Sequence, residues 1–128
     1  MKTYYEPVYK AYIMAFVEPD PIIAKKRCGK FLDYSDLSDV KFDGDAKTIE
    51  FVRDDGGQRI VIWLRKPSTK SLVHELVHAV QFTFEKRRIP FNLDSSENIA
   101  YYMEHLFEIF EPILTNKRQR RWIIKWDY

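Results

Sequence analysis

Residues 69–86 constrain this chain most, because they read as one amphipathic helix with a fixed chemical pattern on its polar side. Leu72, Val73, Leu76, Val77, Val80 and Phe84 recur at helical spacing and fill one continuous apolar arc. His74 and His78 fall outside that arc, beside Ser71, Gln81 and Glu85. A helix of this kind lies on a core by its apolar side and turns its histidines towards a cleft or water. Positions four apart stand one turn above each other on a single face, so the two imidazoles can grip one metal ion. Glu75 sits about 100° round the axis from His74. A carboxylate there can reach a water on such an ion without being a ligand itself. Lewis acid and general base together make a hydrolytic site.

The flanking sequence gives that helix a setting. Tyr9 to Val17 is rich in aromatic and β-favouring residues and reads as a strand, ended by Glu18-Pro19-Asp20-Pro21. Ile22 to Leu32 reads as a short amphipathic helix, and Asp33 to Asp45 as an acidic loop. Lys47 to Arg53 and Arg59 to Arg65 flank Asp54-Asp55-Gly56-Gly57, a strong hairpin signal. Ile60 to Leu64 is apolar at every position, which implies burial on both faces. Pro67-Ser68-Thr69 stops that strand and offers an N-cap for the histidine helix. A second helix runs from about Ser95 to Pro112, its apolar side formed by Ile99, Tyr102, Met103, Leu106, Phe107 and Phe110. The expected class is therefore α+β: a small mixed sheet of about three strands packed on the histidine helix and the helix that follows it.

Size and composition narrow the function. The chain has 128 residues, which the size prior reads as one domain, taken here as residues 1–115 with a basic tryptophan-containing tail over 116–128. Its net charge of +2 commits it to no partner through bulk electrostatics. The single Cys28 forbids an internal disulfide and cannot build a cysteine-rich zinc site, and it reads as a small buried residue. The longest apolar run, Ala11 to Val17, is too short to span a membrane, and the first residues make a poor signal peptide. The expectation is a cytoplasmic protein that does not engage membranes.

His74-Glu75-Leu76-Val77-His78 is the H-E-x-x-H pattern of zinc metallopeptidases. With the apolar strand Ile60-Val61-Ile62-Trp63-Leu64 before it and Glu97-Asn98-Ile99-Ala100-Tyr101 after it, the chain resembles the gluzincin branch of the zincins. It is similar in particular to small zinc-peptidase-like proteins of phages and prophages, over roughly residues 4–112. The H-E-x-x-H motif is specific, whereas E-x-x-A-Y is weak on its own. The resemblance implies a minimal zincin-like domain that binds Zn2+ and hydrolyses peptide or protein substrates, with His74 and His78 as ligands and Glu75 as general base. It also implies Glu97 as the third ligand and Tyr101 as a donor to the developing oxyanion. In several zincins the strand before the motif helix pairs with extended substrate, and Arg59 to Arg65 holds that place here.

Each of these residues also has a structural reading. Asp94 and Glu97 have the spacing of a capping box, so Glu97 could cap a helix, and Asp94, Glu104 and His105 are the other candidates for the third ligand. Tyr101 could simply pack, as aromatic residues do. Two other functions compete with the peptidase. One is a zinc-stabilised binding or regulatory module without protease activity. The other is a nucleic-acid binder using Lys25-Lys26-Arg27 and Lys30, Lys117-Arg118, Arg120-Arg121, and Trp122 and Trp126 for stacking. The order of expectation is peptidase, then binding module, then nucleic-acid protein.

Overall fold

The computed structural model describes residues 1–7, 9–32, 37 and 39–115. Strand β1 covers Lys2–Glu6, β2 Ala11–Val17, β3 Ala46–Val52 and β4 Gln58–Leu64. Helix α1 covers Pro21–Leu32, α2 Thr69–Lys86, α3 Ser96–Phe110 and α4 Pro112–Thr115, with a 3-10 turn at Leu93–Ser95. The strands form one mixed sheet in the order β1-β2-β4-β3. β2 and β4 run parallel in the middle, from Ala11 beside Gln58 to Val17 beside Leu64. β1 pairs antiparallel with β2, and β3 antiparallel with β4.

The two central strands explain the layering. Both are almost wholly apolar, and alternate residues point to opposite faces. Ala11, Ile13, Ala15, Ile60, Ile62 and Leu64 enter a core shared with α2 and α3. Met14, Phe16, Val61 and Trp63 enter a second core with Ala24, Cys28 and Leu32 of α1 and with Leu37 and Phe42. A sheet buried on both faces needs helices on both, and the chain supplies them. Burial pushes the Cys28 thiol up to about 12, which suits a packed residue and not a nucleophile.

The structure changes the expected architecture in two ways. The sheet has four strands, not about three, because Lys2–Glu6 is also a strand. It is short, carries charge at both ends and is held by pairing with β2, so the period-2 signal was too brief to announce it. The second change concerns β4. It lies inside the sheet, paired on both sides, so it has no free edge to offer an extended substrate. The outer strands are β1 and β3.

The bounds of the other expected strands and helices fall within a residue or two, but the buried face of α2 is turned from the expected arc: Val73 is exposed, while Glu75, Ala79 and Thr83 are buried. Ser68 caps α2, its side chain accepting from Ser71 N at 3.1 Å. The β3–β4 hairpin closes through Arg53 N to Gly57 O at 2.8 Å, with Gly56 at φ +87, a backbone region natural to glycine. Among the described residues no helix is long and apolar enough to cross a membrane. The basic tail 116–128 and part of the acidic loop lie outside the described residues.

Candidate metal centre

Helix α2 brings His74, Glu75 and His78 to the side of the protein next to β3. The two imidazoles converge: His74 Nε2 and His78 Nε2 are 3.3 Å apart. Two nitrogens bound to one tetrahedral zinc at about 2.0–2.1 Å are themselves about 3.3–3.4 Å apart, so the pair is spaced like two ligands of one ion. His74 is exposed and His78 half-buried. Gln81, one turn on, faces His78 Nδ1 through its Oε1 at 3.1 Å. When Nδ1 carries the proton and donates to Gln81, Nε2 is left with its lone pair for a metal.

Glu75 is buried, unlike the two histidines. Thr48 on β3 donates its hydroxyl to Glu75 Oε1 at 2.8 Å, and lies 3.1 Å from the Glu75 backbone oxygen. The other carboxylate oxygen, Oε2, is 3.9 Å from His74 Nε2. One oxygen is thus anchored to the sheet, and the other is aimed at the pair without occupying a ligand distance. Neither Thr48 nor Gln81 stood out as a functional residue in the sequence. Gln81 was within reach of pattern reading, since it lies i+3 from His78. Thr48 was not, because only the packing of α2 on β3 brings it there.

Helix α3 does not bring its candidates to the pair. Gln58 Nε2 donates to Phe82 O at 3.0 Å at the start of β4, while Glu75 meets Thr48, which is level with Ile62 further along. So α2 runs against β4. Tyr102 packs on Tyr9 just before β2, and Phe110 packs on Tyr4, the partner of Ile13. So α3 runs with β2, and the two helices are antiparallel. The Phe84 and Tyr102 rings stack at 6.0 Å and set their level. His78 precedes Phe84 by six residues and Glu97 precedes Tyr102 by five. In antiparallel helices those offsets add, to about 16 Å along the axis.

Glu97 is exposed in the first turn of α3. It is not the capping residue either. The capping box here joins Asn92 and Ser95, with Asn92 Oδ1 accepting from Asp94 N at 2.9 Å, and Ser95 is the residue preceding α3. Asp94 and Glu104 are exposed. His105 Nε2 lies 2.7 Å from Tyr4 OH. Tyr101 is 67% exposed and lines a cleft with Tyr4, Tyr9 and His105, not the histidine pair. Among the described residues no group of three or more His, Cys, Asp or Glu side chains is placed to hold a metal ion. No family model matches the chain, and no curated protein or solved structure matches it.

Proposed function

We propose that the protein is a zinc-dependent hydrolase of peptide bonds, with His74 and His78 holding the ion and Glu75 as general base. The observation that carries this reading is the 3.3 Å convergence of the two Nε2 atoms beside an anchored carboxylate. A zinc ion held there would supply Lewis acidity and lower the pKa of its water towards about 7. Glu75 Oε2 takes the proton of the attacking water and passes it to the leaving amine. Thr48 keeps the carboxylate in position by holding Oε1, and Gln81 keeps His78 in the tautomer that presents Nε2. An extended peptide would add to the outer edge of β3, the strand that carries Thr48, because β4 has no edge to give.

The resemblance names Glu97 as third ligand and Tyr101 as oxyanion donor. In the arrangement described here both stand apart from the pair, which favours a second reading: a zinc-stabilised binding module of the same fold without turnover.

The two readings share the metal and differ in activity. Purified protein is expected to carry one zinc per chain by elemental analysis, lost in the His74→Ala/His78→Ala variant. Stoichiometric metal in that variant would refute the centre. Zinc-dependent cleavage of denatured protein or a peptide library, absent from the same variant, is the result expected of the hydrolase. Metal without any such cleavage hands the chain to the binding module.

A further inference from the structure

Three chain reversals meet at one end of the sheet: the turn into β2, the tip of the β3–β4 hairpin and the C-terminus of α2. They gather Lys10, Arg53, Arg59, Lys86 and Arg87 round one cleft of about 480 Å³. Asp55 is the one carboxylate among its described lining residues. Asp55 Oδ2 lies 3.9 Å from Arg53 Nε, and Glu6 and Glu50 act on Arg87, which leaves Lys10 and Lys86 as the exposed cations of the cleft. Neither His74 nor His78 lines the cleft.

Aromatic groups are built into the same cleft. Tyr5 and Tyr12 are cross-strand partners with ring centroids 5.3 Å apart. Arg59 is next in the row, level with Tyr12 on β4. Its guanidinium carbon is 5.6 Å from the centroids of both Tyr12 and Phe31. Arg59 is therefore held between two rings, and it also donates to Phe31 O. Arg87 donates to the carbonyls of Tyr9 and Thr83 and to Gln58 Oε1. Both guanidinium groups are held in place by these protein partners and lend the cleft fixed positive charge. Lys10 and Lys86 stand exposed at the rim. Lys10 has φ +57, a backbone conformation that residues other than glycine and asparagine seldom adopt.

We propose that this cleft binds a phosphorylated nucleoside, either free or as one unit of a single-stranded nucleic acid. Lys10 and Lys86 face the phosphate, and the exposed ring of Tyr5 supplies the stacking platform for the base. The charge alone would suit any anion. Tyr5, 41% exposed and backed by Tyr12 at an interplanar angle of 56°, adds an aromatic face for a planar ring. The volume lies in the range of small-molecule sites, about 300–1,000 Å³. These residues are distinct from the basic clusters that the sequence offered for nucleic acid. Of those clusters, the Arg27 side chain on α1 is 3.9 Å from Glu18 and lies over Phe16.

The test uses the full-length protein with AMP, ribose 5-phosphate, inorganic phosphate and a short fluorescein-labelled oligothymidylate. AMP or the oligonucleotide is expected to bind about tenfold or more tightly than ribose 5-phosphate, the usual scale of one stacked base. Lys10→Gly/Lys86→Gln should weaken binding about tenfold; glycine suits the Lys10 backbone. The oligonucleotide salt dependence of that variant should flatten by about 0.7 in log–log slope per phosphate contact removed. Tyr5→Thr should erase the preference over ribose 5-phosphate. Binding of AMP assigns a free nucleotide, and binding of the oligonucleotide alone assigns the polymer. Inorganic phosphate binding as tightly as AMP would overturn the proposal. So would unchanged affinity in the lysine variant, or no binding at all. Should the tyrosine variant fail to fold, amide shifts of the wild-type protein decide. Movement at Gly56 and Gly57 supports the cleft, and movement confined to α1 or residues 116–128 overturns it.

Discussion

Helices α2 and α3 lie side by side on one face of the sheet, yet they carry candidate chemistry in different ways. In α2 the candidate groups sit within five residues of one another, and the pitch of the helix alone stacks the two histidines. In α3, Glu97 and Tyr101 are also one turn apart on one face, but both are exposed and stand far from the histidines. A site inside one helix is fixed by helical geometry. A site shared by two helices also depends on where the connection ends and which way the second helix runs. Here α2 continues eight residues past His78 to Lys86, and α3 turns back only after the Leu93–Ser95 turn. That extra length carries the start of α3 away from the pair.

The contrast can be broken experimentally, beginning with the largest expected effect. Glu75→Gln is expected to keep bound zinc and lose at least about 100-fold in hydrolysis, the scale of a general base. Survival of an authentic activity in that variant would remove Glu75 from the chemistry. Thr48→Val takes away the hydroxyl that anchors Glu75 and should lower kcat about tenfold while metal content stays stoichiometric. That is the lower end of what one hydrogen bond to a charged group is worth, about 1.5–3 kcal/mol. Equal rates for Thr48→Val and wild type would show that Glu75 is positioned without the sheet. Glu97→Gln carries the smallest expected effect: zinc affinity by competitive chelator titration should stay within about threefold while the helices keep this arrangement. A loss of tenfold or more would show that metal loading draws the first turn of α3 to the pair, and would restore the ligand set that the resemblance implies.

The same contrast explains what could be read before the structure. The α2 helix, its Ser68 cap, the hairpin at Gly56 and the burial of Ile60–Leu64 on both faces all follow from local rules, and all are present. The convergence of His74 and His78 follows from a spacing of four. What escaped was non-local. Lys2–Glu6 is a strand because β2 pairs with it, and nothing in its own five residues requires that. The interior place of β4 depends on which strands lie on either side, so the substrate-pairing role expected of it was misplaced. Thr48 reaches Glu75 across 27 residues of chain. No periodicity links two positions that far apart, and the distance from Glu97 to the pair escaped for the same reason.

The parallel pairing of β2 with β4 bears on how the chain is made as well as on how it is built. β1–β2 and β3–β4 are hairpin-like pairs that close over short connections, whereas β2 must wait for β4 across residues 18–57. Long-range pairing of this kind is slow, because loop closure comes before any contact rewards it. Until then the nascent chain presents Ala11–Val17, a strand with no charge, proline or glycine, with one edge unpaired. Such a segment is a template for other chains. One of the two central strands of the finished sheet is thus an aggregation hazard during synthesis, for as long as it stands open.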